Sequence, residues 1–367
     1  MSPISPPISP LRTAHEPHIA CTTRIARTAR IAHARELRAR PPRLHLQRLL
    51  RSRHLRLLCS LLMLVVLGSA ATGCSSGVSD ESLPKVTGAY LSDPEISMPT
   101  GNPPTGLVIR TLIAGTGPVV QSSDLALVYV EGKVWAGDRE VFDSYTNRQP
   151  QSVPLATGGV MPAWKQLAGE RVGSRVMMVV PPSDGFGKSG YSQLNITGSD
   201  TLVFVFDVLT SVPEEAAAQG SPVAYDPGTK LPEVVEQSAS AGPKITIPAK
   251  TAPPTKLTVK TLVQGSGAPL TSGQTVVVQY SGVVWRSGTV FDSTYVNKTP
   301  DTFVLGANEV LPGMEQALGG VKVGSRILMV IPPALAYGDQ AEPPDIDNND
   351  TLVFVVDVID AYTPPTA

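Results

Sequence analysis

One long repeat constrains the fold of this chain more than any other feature. LVIRTLIAGTGP at 107–118 matches LTVKTLVQGSGAP at 257–269, and VFDS at 141–144 matches VFDS at 290–293. RVGSRVMMVVPP at 171–182 matches KVGSRILMVIPP at 322–333, and DTLVFVFDVL at 200–209 matches DTLVFVVDVI at 350–359. The offset drifts only between 148 and 151 residues. Solenoid repeats recur every ~20–50 residues, so this period means a duplicated domain of ordinary size. The expected layout is a signal region at 1–73, a tether at 74–105, a first domain at 106–212, a linker at 213–255 and a second domain at 256–362. Both connectors are rich in Pro, Ser, Gly and Ala and read as flexible or semi-extended tethers. They share LP-x-V (83–86, 231–234) and I-x-[MI]-P (96–99, 245–248), so part of each is expected to lie along its domain as an extra edge strand.

Charge is divided as sharply as the repeat. The chain's formal net charge is −1, but residues 1–73 hold 12 Arg, no Lys and two acids, Glu16 and Glu36, for a net +10. The rest carries 18 basic and 29 acidic residues, a net −11. All five His, and Cys21 and Cys59, lie in the basic stretch; the third cysteine is Cys74. Beyond Cys74 a His-based acid/base, a Ser/His/Asp triad, a His or Cys zinc site and an intrachain disulfide are therefore excluded. The acidic balance, without a basic stripe, argues against nucleic acid as a partner.

LLCSLLMLVVL at 57–67 follows Arg48, Arg51, Arg53 and Arg56. A membrane-spanning helix needs about 20 apolar residues. A shorter run behind a positive flank, followed by the small residues 68–73, reads as a secretory signal. That small run ends on Cys74 and resembles the lipobox of bacterial lipoproteins, with Ala71 where Leu is usual. The resemblance implies cleavage before Cys74, acylation of its sulfur and new amino group, and anchoring to the outer face of the cell membrane. An ordinary signal peptide with a chance cysteine is the alternative. Residues 1–47 are long for a signal's basic region. They read as a long leader, a disordered cytoplasmic arm or an early-placed start codon, the last being preferred.

Within each unit, runs rich in Val, Ile and Phe are separated by Gly and Pro turns. A short helix is expected at 313–318, after Pro312 and before Gly319-Gly320, with its counterpart at 162–167. Mostly antiparallel strands with one short helix predict a small α+β domain.

The order QTVVVQYSG, VFDS, EVLPGMEQAL, VGSRILMVIPPALAYG, TLVFVVDV in the second unit is similar to that of the FKBP-type peptidyl-prolyl cis/trans isomerases. The resemblance covers 256–361 and, more loosely, 106–211. It implies a bent antiparallel sheet wrapped around one short helix, with a shallow apolar pocket between them. Carried over, the pocket of the second domain consists of Tyr280, Phe291, Asp292, Val310, Leu311, Met314, Tyr337, Ile346 and Phe354. Met314 stands where the family has Trp, and Asn297 replaces an Arg that partners the Asp, so Asp292 is expected to be less well held. The corresponding set in the first domain is Phe142, Asp143, Val160, Met161, Trp164, Phe186 and Phe204. Val130 stands in the place of Tyr280 and Phe186 in that of Tyr337, so weaker or altered activity, or peptide binding alone, is expected there.

The implied function is isomerisation of Xaa-Pro bonds during folding of exported polypeptides; a non-catalytic peptide-binding or chaperone lipoprotein is the alternative. No bond breaks, so neither a cofactor nor a metal is required. The family also implies macrolide ligands. Gly115-Thr116-Gly117 and Gly265-Ser266-Gly267 lack a following helix and are turns rather than phosphate loops. The run 345–349 imitates a calcium loop but has Asp350 in the Gly position and Val356 in that of the Glu. With Asp339 and Glu342 it is expected to place negative charge beside the pocket, favouring cationic client segments.

Overall fold

The computed structural model describes residues 80–156, 160–238, 240–340, 342 and 344–365. The signal segment 57–67 and Cys74 lie outside them. Two short strands, β1 (Lys85–Thr87) and β2 (Glu95–Ser97), precede the first domain. That domain contains β3 (Val108–Ile113), β4 (Leu125–Val134), β5 (Arg139–Asp143), β6 (Gln151–Pro154), β7 (Arg175–Val180) and β8 (Leu202–Val212). They form one antiparallel sheet in the order β3-β7-β8-β4-β5, with β6 also on β4.

The linker supplies β9 (Gly220–Pro222), β10 (Glu233–Val235) and β11 (Lys244–Thr246). The second domain repeats the plan with β12 (Thr258–Gly265), β13 (Thr275–Val284), β14 (Val290–Ser293), β15 (Asp301–Val304), β16 (Arg326–Ile331) and β17 (Leu352–Tyr362). It adds helix α1 (Thr294–Asn297) and carries the central helix α2 (Pro312–Leu318). Its sheet order is β14-β13-β17-β16-β12-β9, with β15 on β13.

The inner face of each sheet packs on the short helix. Val128, Val130, Phe204 and Phe206 meet Ala163 and Leu167 in the first domain; Val276, Val278, Met329 and Val356 meet Met314 and Leu318 in the second. The outer faces are covered too, by the segments expected as flexible tethers. β1 and β2 pair as a hairpin that brings Leu83 and Ile96 onto Val179, Val203, Val205 and Trp135. β10 and β11 bring Ile245 onto Val283, Val330, Val353 and Trp285. Burying Ile, Leu and Trp side chains stabilises by about 1.5–3 kcal/mol each, so a connector that can do so folds onto its domain. The shared LP…P pattern encodes these hairpins; among the described residues of the connectors only β9 is an added edge strand, pairing with β12. With both faces covered, β7 and β16 are buried at every residue, which explains their unbroken apolar runs.

The first domain departs from the expected α-helix: 162–167 is a 3₁₀ helix. Gly169 and Gly320 occupy the same place, their N–H groups donating to Val120 O and Leu270 O. Between Pro and that Gly the first domain has one residue fewer. A 3₁₀ helix rises about 2.0 Å per residue against 1.5 Å for an α-helix, so tighter winding spans the gap.

Each outer face also buries an ion pair. The guanidinium of Arg175 donates to both oxygens of Asp207 at 2.7 Å, with side-chain exposures of 1% and 0%. Its remaining donors reach Gly88 O and Ser92 O of the β1–β2 connection. Arg326 and Asp357 repeat the pair, and Tyr295 adds its hydroxyl to Asp357 at 2.8 Å.

The two domains meet through Leu125, Val212 and Val277, and Thr210 donates to Asp360 at 2.9 Å. Tyr129, on the outer face of β4, is buried, stacked on Tyr145 and edge-on to Tyr362.

Glu131 is buried on the same face. Burial first, then the neighbouring Asp93 carboxyl, pushes its carboxyl from 4.5 up to about 8. Between these values the folded chain holds a proton that the unfolded chain has released. Stability is therefore complete below the unfolded value and falls as pH rises through the folded one. Thermal melts from pH 5 to 8.5 should show the first domain losing about 1–2 kcal/mol. The Glu131→Gln variant should flatten that slope.

Candidate active site

In the second domain the inner face of the sheet, the start of α2 and the 335–346 loop enclose one apolar surface. Tyr280, Phe291, Val310, Leu311, Met314, Tyr337, Ile346 and Phe354 all pack in the same cluster. Phe354 lies edge-on to Phe291 at 5.4 Å and to Tyr280 at 5.9 Å. Gly282 makes this approach possible: a Cβ there would lie 2.8 Å from Phe291 Cζ and 3.0 Å from Phe354 Cε1. Gly282→Ala should therefore destabilise the domain by about 1–3 kcal/mol, read from its melting transition, and displace both rings.

Polar groups are few and directed. The Tyr280 hydroxyl donates to Asp292 Oδ2 at 2.5 Å and Asn297 Nδ2 donates to Oδ1 at 3.2 Å. Asp292 is thus held on both oxygens, and Asn297 takes up the Arg position with a neutral donor. Burial first, then the charge of Asp301, pushes the Tyr280 phenol up. Burial, then Glu342 and Asp292, does the same to Tyr337, so both remain neutral donors.

The loop carrying Tyr337 is closed by Gly338 N–H to Pro333 O at 2.9 Å and by paired Glu342–Ile346 backbone bonds at 2.9 and 3.1 Å. Leu311 caps α2 with its carbonyl, which accepts from Met314 N–H at 2.8 Å. Its own N–H has no acceptor among the described residues. This surface can grip a proline ring and offer two donors, an N–H and a phenol, to a peptide carbonyl.

In the first domain Phe142, Val160, Met161, Trp164, Phe186 and Phe204 gather in the equivalent cluster, joined by Val130. Asp143 does not. The strand register pairs Gly132 with Phe142 and Glu131 with Asp143, whereas Gly282 pairs with Asp292 and Ser281 with Ser293. The VFDS motif has slipped by one residue: Phe142 takes the place of Asp292, and Asp143 points to the other face. There Asp143 accepts from Tyr145 N–H at 2.8 Å and Thr146 N–H at 3.1 Å, closing a turn. Trp164 stands edge-on to Phe204 and Phe206, both at 5.3 Å.

Among the first-domain pocket residues missed in sequence are Val141, which the slip puts in the place of Phe291, Ile196 and Tyr191. Ile196 matches Ile346, since each makes the same isolated bridge, to Tyr191 and Glu342 respectively. Tyr191 stacks on Phe186 at 5.1 Å. The signal was available: Ile196 and Ile346 each stand four residues before the repeated DTLVF.

A family model described as FKBP-type peptidyl-prolyl cis-trans isomerase matches residues 117–209 and 267–359. An "FK506-binding protein" from Streptomyces anulatus is 42% identical over 108 residues, which is 29% of this chain and 87% of that protein. "FK506-binding protein 4" from Rhizopus delemar is 39% identical over 106 residues, and the match spans 29% of this chain but only 27% of that longer protein. Among solved structures, FkpA from Escherichia coli is 38% identical, with 30% of this chain and 50% of that chain covered and a TM-score of 0.28. By both family matches and the Streptomyces relative, the chain belongs to the FKBP-type peptidyl-prolyl cis-trans isomerase family.

Proposed function

We propose that the second domain isomerises Xaa-Pro bonds of exported polypeptides, and that the first domain binds such segments with little catalysis. The convergence of Tyr337, the Leu311 N–H and the Tyr280–Asp292 pair on one apolar cradle carries this reading. Rotation about a peptide bond faces a barrier of about 18–20 kcal/mol, and uncatalysed Xaa-Pro exchange takes tens to hundreds of seconds. Amide resonance separates charge and is favoured by water. Enclosing the bond among Phe291, Met314, Ile346 and Phe354 weakens it. Donors aimed at the carbonyls then hold the twisted state. A lowering of about 5–6 kcal/mol corresponds to roughly 10⁴-fold. Asp292 acts through its field and through Tyr280, not as a proton carrier.

The first-domain pocket offers Val130, Phe142 and Phe186 where the second offers Tyr280, Asp292 and Tyr337. It retains apolar grip and has neither the two tyrosine hydroxyls nor the carboxylate at those positions, which favours binding alone. The test is NMR exchange on an Xaa-Pro peptide with the full chain and with each pocket blocked in turn. Blocking the second with Tyr337→Phe and Asp292→Val should abolish most of the rate; an unchanged rate refutes the site.

Export and anchoring at Cys74 complete the reading. Incorporation of a labelled fatty acid, lost in Cys74→Ser, tests it; labelling that survives the substitution refutes it. Macrolide binding would fall to the second domain, on a floor reshaped by Met314.

A further inference from the structure

The two pockets sit in one chain on one scaffold, so they control for one another, and they differ most in charge. Around the second pocket stand Asp292, Asp301, Asp339, Glu342 and Asp345. Strand register, the matched bridges and the matched Gly after Phe186 or Tyr337 identify their counterparts in the first domain as Phe142, Gln151, Lys188, Tyr191 and Asn195. Five carboxylates face none. One acid runs the other way, Asp184 against Leu335. Asp347 and Asp350 do not add to the difference: Arg286 bridges both, at 2.8 and 3.0 Å, offsetting one of the two charges, and the other has its counterpart in Asp200.

These carboxylates border the pocket. Asp292 bonds the pocket tyrosine Tyr280. Glu342 is bridged to the pocket residue Ile346, and Asp339 lies two residues beyond Tyr337. Asp301, Asp339, Glu342 and Asp345 are exposed. Asp301 and Glu342 lie close enough to act on the hydroxyls of Tyr280 and Tyr337.

A cleft lined by one sign of charge concentrates ligands of the other sign and raises their capture rate. We infer that the two domains divide clients by charge: the second selects Xaa-Pro segments flanked by Lys or Arg, and the first takes neutral, apolar or aromatic ones. This rests on the proposed reading of the second pocket as the isomerase site.

The experiment uses the full chain and three peptides that differ only in Lys, Ala or Glu on either side of the Xaa-Pro pair, with exchange followed by NMR. At about 20 mM salt the Lys peptide should turn over about tenfold faster than the Glu peptide, by kcat/KM. The ratio should fall towards unity near 0.5 M, where the Debye length shrinks to a few Å. The Asp339→Asn, Glu342→Gln, Asp345→Asn triple variant should lose most of the ratio, which is taken between the Lys and Glu peptides within each variant. Equal turnover at low salt, or a ratio that survives in the triple variant, overturns the inference. If no peptide is isomerised, the isomerase reading fails instead. The charge preference is then read from anisotropy of the same peptides, fluorescently labelled: tighter binding of the Lys peptide, lost in the triple variant, upholds it, and equal binding refutes it.

Discussion

Replacing Asp292 by Val should lower kcat/KM on an Xaa-Pro peptide about 30-fold to 100-fold, with Tyr337→Phe costing about tenfold. Hydrogen bonds to a charged group contribute about 1.5–3 kcal/mol, and loss of a single directed donor from a dry site costs in the same range. In the Val variant the Tyr280 hydroxyl loses its acceptor and Asn297 its partner. Asp292→Asn, which keeps an acceptor but removes the charge, should recover part of the loss; the recovered share measures geometry and the remainder measures field. Tyr280→Phe combined with Asp292→Val should cost little more than Asp292→Val alone, because the pair acts as a unit. Additive losses would separate them. The corresponding change in the first domain, Asp143→Val, should leave isomerisation unaltered, since that carboxylate closes a turn on the opposite face.

Arg326→Met should destabilise the second domain by about 3–5 kcal/mol, the cost of leaving a buried carboxylate unpaired. Asp357 is wholly buried and takes both its strongest donors from Arg326. Tyr295 remains as one donor, and the Ala218 N–H as another at 3.0 Å. Replacing Arg326, Asp357 and Tyr295 together by apolar residues of similar size should recover most of the loss, because the pair's attraction largely offsets its desolvation. Urea unfolding of the full chain, followed transition by transition, distinguishes the two. A single substitution costing under ~1 kcal/mol would mean that water reaches Asp357.

Much of this was legible in the chain. The strands of the second domain follow from runs of Val, Ile and Phe broken by Gly and Pro, and their order carried the pocket residues to one surface. The unbroken run DTLVFVVDV even holds a clue to two covered faces, since a strand with one wet face alternates. What covers the outer face was hidden. Two short strands rich in Pro, Ser and Gly neighbours read as tether by composition, while their packing depends on a few residues such as Leu83 and Ile96 meeting a surface formed by distant strands. The 3₁₀ helix was legible only as a one-residue deficit between Pro162 and Gly169.

The first-domain Asp was misplaced because identical letters outweighed spacing. Leu107 with Leu257, Gly132 with Gly282, Pro150 with Pro300 and Val160 with Val310 all keep an offset of 150. VFDS, lying among them, keeps 149. With both hairpin turns of equal length, Glu140 rather than Val141 takes the place of Val290, and the extra residue before the motif moves VFDS one position along the strand. Backbone pairing counts residues, not identities.

The folded connectors also set a length. Had 74–105 been an extended leash, its roughly 3.3–3.6 Å per residue would let the first domain roam about 100 Å from Cys74. The hairpin consumes most of that reach. Leu83 is already buried against the domain, leaving nine residues and at most about 30 Å of slack. A chain acylated at Cys74 would be held on a short stalk, with the face of its first domain that carries Leu83 kept within that distance of the acyl chains.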